Sequence, residues 1–341
     1  MWLVINNGNN RGIFMKTRNY ALDIAKAIGI ILMIAGHCSL LPYRPYRHFI
    51  FTFHMPLFFI ISGYLYKCKG IKDSLKRDAV HLMLPYLYTC LAMIGICLLK
   101  SFYDNEYLDK VVYYTKATFI GSGSVHNCMY FANVPNIGAI WFFPALYVCK
   151  NVYNLLQSFS LRTKFIISSI VFIVAALLGR YVLYIPFSIL SGLTAMIFFA
   201  IGDILKSVNR IKPLYWAIGI GCWVISFVYS RVTLVRPIID LYFIDVIGAT
   251  TASLAVYLLS VKLDKLRLLS SLMVWIGKNS LYILCFHLLD LNVLKISRSM
   301  KSVDNSLVLF SMIMFPILAT FIFVKVKGWI KNRRMHARSV A

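Results

Sequence analysis

The chain has 341 residues, 60% of them hydrophobic and only 14% charged, with a mean hydropathy of +0.74. A soluble domain carries about a quarter charged residues, so this composition excludes a soluble globular enzyme and implies a polytopic membrane protein. The net charge of +24 does not point to nucleic acid: with the N-terminus inside, the inner connecting segments hold roughly twice as many Lys and Arg as the outer ones.

Apolar runs predict an all-α fold of about ten transmembrane helices, at 22–40, 49–66, 79–99, 137–156, 164–184, 187–205, 213–230, 238–260, 272–294 and 305–325. Both termini are expected in the cytoplasm. Residues 1–341 read as a single transmembrane domain with a polar leader (1–18), an outer loop (100–136) and a basic tail (326–341) that anchors on anionic lipid. No apolar signal region with a cleavage site opens the chain, so the first span is expected to stay. The eight cysteines are scattered without a CxxC pair, which argues against a disulfide framework or a zinc site, and no metal is expected.

The first span carries Asp23, Lys26 and His37. Lys26 and His37 fall within about 20° of each other on a helical wheel and ~16 Å apart along the axis. Ionisable groups inside a membrane helix are costly and read as functional, with a partner to be named. An i,i+3 ion pair with Asp23 is the bland reading of Lys26, but it leaves His37 unexplained. The second span brings His54 in Phe53-His54-Met55-Pro56. The connector that follows holds Lys67, Lys69, Lys72, Lys76 and Arg77 against Asp73, a cluster suited equally to a phosphate-bearing cytosolic ligand or to lipid headgroups.

The 100–136 loop, with Asp104, Glu106, Asp109, a Gly121–Ser124 turn and His126, is long for a compact membrane protein and reads either as a binding loop or as a solvated hairpin. Trp141 opens the fourth span, Arg180 closes the fifth, and Asp240 and Asp245 enter the eighth, all from the outer side. The ninth span opens at its inner end with Gly277-Lys278-Asn279-Ser280 and carries His287 and Asp290 outward. The pattern is a polarised passage, with cations at an inner mouth and His37, His54 and His287 at one depth. Beside the histidines lies an outer pocket drawing on Trp141, Arg180, Asp240 and Asp245. Ser62-Gly63 reads as a place for close helix approach rather than as a nucleophile.

Several blocks carry a resemblance. They are Arg18-Asn19-Tyr20 with Asp23-Ile24-Ala25-Lys26, the basic-x10-histidine pattern ending in Gly36-His37, and Phe53-His54-Met55-Pro56-Leu57-Phe58-Phe59-Ile60-Ile61-Ser62-Gly63-Tyr64. Lys76-Arg77 with Pro85-Tyr86, Ile140-Trp141-Phe142-Phe143, and Ile276–Tyr282 leading to His287 are weaker but consistent. Over nearly its whole length the chain resembles the acyltransferase-3 family of integral membrane O-acyltransferases, in the branch of fucose 4-O-acetylases and surface-polysaccharide O-acetylases. The resemblance implies a bacterial inner-membrane enzyme that moves an acetyl group from cytosolic acetyl-CoA to a glycan hydroxyl at the outer face. His37 is then the essential histidine and Lys26 its basic partner. Lysine stands here where many members have arginine, and it lacks arginine's bidentate fork. The family's appended esterase-like domain is not expected.

The expected chemistry has His37 as general base or transient acyl carrier, with His54 or His287 orienting it or stabilising the oxyanion. Lys26, Lys76, Arg77, Lys278, Asn279 and Ser280 are the expected donor-binding residues. A saccharide exporter and a succinyl-CoA-dependent acyltransferase are the rival readings.

Overall fold

The structure, a computed structural model, describes residues 3–4, 18–38, 44–124, 126–128, 131–181, 185–296 and 304–340. Most of them are helical. Strands among the described residues form three two-stranded antiparallel ribbons: β1 (Leu3–Val4) with β4 (Arg210–Ile211), β2 (His126–Cys128) with β3 (Phe131–Val134), and β5 (Val232–Thr233) with β6 (Ile238–Ile239). Most of the predicted leader lies outside the described residues.

Among the described residues four helices are long and apolar enough to cross a bilayer: Ile71–Ser101, Leu161–Gly179, Phe243–Leu263 and Asn305–Arg333. They belong to α4 (Ile71–Asp78) continuing into α5 (Leu84–Ser101), to α8 (Leu161–Tyr181), to α12 (Phe243–Leu263) and to α15 (Asn305–Val340). A π turn over Ala79–Met83 joins α4 to α5, where Pro85 has no N–H to offer the preceding turn. The predicted ninth span is broken. Helices α13 (Arg267–Lys278) and α14 (Ser280–Leu289, extended by a π turn to Leu294) meet at a 68° bend.

The other predicted spans are helical over shorter stretches. Helix α1 (Tyr20–Gly36) has 17 residues, α3 (His54–Tyr64) has 11 and α7 (Phe142–Leu155) has 14, against the ~20 needed to cross hydrocarbon. Prolines set two of these starts: Pro56 and Pro144 sit in the first turns of α3 and α7, where a missing N–H costs nothing. Helices α9 (Ile189–Thr194) and α10 (Met196–Leu205) begin after Phe187 and Ser188, both at positive φ. The remaining helices among the described residues include α2 (Arg44–Phe51), α6 (Glu106–Ile120) and α11 (Pro213–Tyr229).

This arrangement gives the bundle two levels. At one, which we call the basic end, Leu22 near the start of α1 shares an apolar cleft with Tyr64 at the end of α3, Leu205 of α10 and Tyr257 of α12. At the other, α1 ends and α3 begins. Between them the helices approach very closely. Gly63 of α3 lies on the Phe199 carbonyl and Gly202 of α10 on the Ile60 carbonyl, so α3 and α10 touch backbone to backbone with no room for a β-carbon. Lipid offers no hydrophobic drive for such contact, so van der Waals packing between small residues supplies it. The core between the levels is aromatic, with Phe59, Phe143, Tyr153, Phe198 and Phe199 fully buried.

The 100–136 segment is docked into this bundle. Helix α6 runs back along α5, and the Tyr86 hydroxyl donates to the Thr118 carbonyl at 2.6 Å. Beyond it, Phe187 N donates to Ile120 O (2.7 Å), Ile137 N to Ser122 O (2.7 Å) and Ser188 Oγ to Gly121 O (2.5 Å). Gly121 adopts φ +64°, and Gly123 leaves space filled by the Trp141 ring. Loop closure at 121–124 satisfies backbone groups that the bundle interior would otherwise leave unpaired. His126 lies in β2 with its side chain outside the described residues.

Candidate active site

His37 caps the C-terminus of α1, where carbonyls lack helical partners. Its Nδ1 lies 2.8 Å from the Met33 carbonyl. A carbonyl can only accept, so Nδ1 carries the proton and Nε2 keeps its lone pair. His54, the first residue of α3, repeats the device: Nδ1 lies 3.1 Å from the Ile50 carbonyl. Both imidazoles are thus anchored through one nitrogen and present the other.

The three histidines of the sequence reading come together. The His287 ring of α14 stands edge-on to His37, with centroids 5.7 Å apart and a 68° interplanar angle. Phe51 bridges His37 (5.8 Å) and His54 (4.9 Å), and the Arg47 guanidinium lies 5.3 Å above the Phe51 ring. His54 is buried, while His287 is fully buried and, among the described residues, neither of its ring nitrogens has a hydrogen-bond partner. Arg47 and Phe51 escaped the sequence reading. Their i,i+4 spacing on the short α2 was the available signal.

At the basic end Lys26 makes the i,i+3 ion pair with Asp23. Asp23, buried in α1, accepts from Lys26 Nζ at 2.7 Å, and from Arg18 Nε at 2.6 Å and Nη2 at 3.2 Å. The hydrogen bond to Asp23 holds the Arg18 guanidinium above its ordinary pKa. Gly277 of α13 rests on the Asp23 backbone carbonyl, which docks the Gly277–Ser280 block against the start of α1. There Lys278 lies 5.6 Å over the Tyr20 ring. Asn279 caps α13 and donates from Nδ2 to the Trp275 carbonyl (2.9 Å), and Ser280 is buried at the bend. Lys76 and Arg77 lie on exposed turns of α4. The adjoining Asp78 is buried and is held by Lys150 of α7 at 2.6 Å and Arg77 at 3.6 Å.

The expected outer pocket divides. Trp141 is buried at the entrance to α7, against Gly123. Asp240 accepts from the Arg231 backbone N–H at 3.0 Å. Asp245 is fully buried and accepts from Ser226, from Ser230 (2.5 Å) and from the Leu241 N–H (2.9 Å). Its lone pairs are consumed within the protein, so it pins α11 to α12 rather than facing a cavity. Arg180 lies in the last turn of α8 with its side chain outside the described residues. Among the described residues no three His, Cys, Asp or Glu side chains gather in a way that could hold a metal ion.

A pair of anchored imidazoles with free Nε2 atoms, beside a third that is unbonded, can accept and return protons or carry an acyl group. The "Acyltransferase domain" family model of acyltransferase 3 matches residues 19–325. Two curated relatives are the nodulation protein NolL of Sinorhizobium fredii, 30% identical over 171 residues, and that of Mesorhizobium japonicum, 31% identical over 167. These alignments cover 46% and 45% of this chain and 42% and 39% of the relatives, so the chain spans less than half the length of each. No solved structure matches. The chain belongs to the acyltransferase-3 family.

Proposed function

We propose that the protein is an O-acetyltransferase of the bacterial inner membrane that moves acetyl from cytosolic acetyl-CoA to a hydroxyl of a surface glycan or its lipid-linked precursor. About ten spans, both termini cytoplasmic, put the basic end on the cytosolic side and the histidine level toward the outer face. The observation that carries this reading is His37 itself, a helix-capping imidazole whose tautomer is fixed by Met33 and whose Nε2 is left free. The apolar cleft along α3, from Tyr64 to Leu57, gives the donor's chain a direction from the basic end toward His54.

In the direct route, Nε2 of His37 takes the proton of the acceptor hydroxyl as its oxygen attacks the thioester carbonyl. The C–S bond then breaks, and the proton passes to the CoA thiolate. In the covalent route, Nε2 attacks the thioester carbonyl first and the C–S bond breaks to release the CoA thiolate; the hydroxyl oxygen then attacks the acetyl-imidazole, the N–acetyl bond breaks, and the hydroxyl proton returns through Nε2 to the thiolate. Of the two companions, His287 is the better oxyanion donor, because both its nitrogens are uncommitted while His54 spends one on Ile50. The rival exporter reading draws on broken helices, but among the described residues one bent pair is found, not the two in corresponding halves that mark transporters.

Membranes holding the protein, supplied with isotope-labelled acetyl-CoA and the host's glycan, are expected to label the glycan. Label from succinyl-CoA instead, or none from either donor while glycan export depends on the protein, would overturn the reading.

A further inference from the structure

Where α3, α7, α8 and α10 meet at the basic end, a cation sits without a carboxylate. Lys164, in the first turn of α8, is only 7% exposed. Its ammonium lies 5.8 Å from the centre of the Tyr66 ring and 5.6 Å from that of Tyr153. The carboxylates nearby are already matched to other groups. Asp203 of α10 holds Lys206 at 2.6 Å and accepts from the Tyr153 hydroxyl at 2.8 Å, and Asp78 holds Lys150. Lys206 also lies over Tyr66, at 5.2 Å. Among the described residues no side-chain or backbone oxygen accepts from Lys164.

Burying an ammonium is costly unless it is paired, and two tyrosine faces compensate only in part. The cations gathered here outnumber the carboxylates. We propose that Lys164 and Lys206, over Tyr66, form a phosphate-binding site that takes the phosphorylated nucleotide end of the acyl donor. This rests on the CoA-dependent reading above. The site lies roughly 18 Å along α3 from His54, counting the turns from His54 to Tyr66. A donor with phosphate at one end and a thioester at the tip of a long arm has to span such a separation. Lys26 and Lys206 are each matched to an aspartate, so the charge that a phosphate completes here is that of Lys164.

The test compares acetyl-CoA with S-acetylpantetheine, which keeps the thioester and lacks the nucleotide phosphates, in nanodiscs of neutral and of anionic lipid. Lys164→Met is expected to raise KM for acetyl-CoA about tenfold or more, the worth of a charge-assisted contact. It should leave KM for S-acetylpantetheine unchanged, with Lys164→Arg recovering part of the loss. Equal effects on both donors would make Lys164 structural, and an effect seen only in anionic lipid would assign the site to a headgroup. Either result overturns the proposal. On the wild type, CoA is expected to protect Lys164 from an amine-reactive reagent, as read by peptide mass mapping, and labelling indifferent to saturating CoA would also overturn it. Should the wild type transfer acetyl from neither donor while CoA still protects Lys164, the acetyltransferase reading fails and the site stands.

Discussion

The two ends of α1 handle polar groups in opposite ways. At its start, Asp23 is saturated by Arg18 and Lys26 and clamped by the backbone of Gly277. At its finish, His37 offers an open Nε2 to a neighbourhood in which, among the described residues, neither ring nitrogen of His287 has a hydrogen-bond partner. A satisfied buried network fixes structure. An unsatisfied buried group costs about 1–3 kcal/mol and makes sense where a reactant completes it. The same contrast separates Asp245, with three donors on its carboxylate, from His287 at the histidine level. In this bundle chemistry is to be sought at the incomplete sites, not at every membrane-embedded charge.

His287→Leu is the sharpest way to break that contrast. Loss of an oxyanion donor is expected to lower kcat by about 10²–10³-fold, while replacing an unpaired imidazole by an apolar group of similar size leaves thermal stability unchanged or raises it. A variant that is equally active and less stable would make His287 a packing residue. Gly277→Ala should do the reverse. Its β-carbon has no room against the Asp23 carbonyl, so α13 must separate from α1, and about 1–3 kcal/mol of stability is expected to go. The fraction of monodisperse protein surviving a heat step in detergent measures this.

Gly123→Ala presses a methyl group on the Trp141 ring and Val235. It is expected to raise KM for the acceptor several-fold and leave KM for the donor alone. Equal shifts in both would remove the docked 121–124 turn from the acceptor side. The smallest effect is expected of Lys26→Ala. With its partner Asp23 still held by Arg18, the melting temperature should fall by a few degrees, the scale of about 1 kcal/mol, and kcat should persist. A large rise in donor KM would restore Lys26 to the donor site.

Much of the site was legible in the sequence. The three histidines, and the close approach at Gly63, follow from ionisable groups and small residues at fixed positions in apolar runs. What hydropathy does not register is where a helix stops inside such a run. The windows run smoothly over Phe53, Pro56 and Pro144, yet those residues end or begin helices and create the level at which His37, His54 and Trp141 are positioned. The bend at Asn279 is hidden for the same reason: an uncharged residue between two apolar stretches does not interrupt a hydropathy window, although it divides the backbone into two axes. Lys164 was invisible in another way. In a topology argument it is one more inner cation, and only its burial over Tyr66 and Tyr153 sets it apart. Asp245 looked like Asp240 in sequence. The serines that saturate it lie 15 and 19 residues earlier, on the far side of a ribbon.

The most direct test is the acetyl content of the host's surface glycan, measured by mass spectrometry in cells expressing His37→Ala and wild-type protein at equal membrane levels. With the Nε2 lone pair removed, acetyl is expected to vanish from the glycan while the glycan itself is still made and exported. Wild-type acetylation in the variant would contradict the assignment of the chemistry to this imidazole.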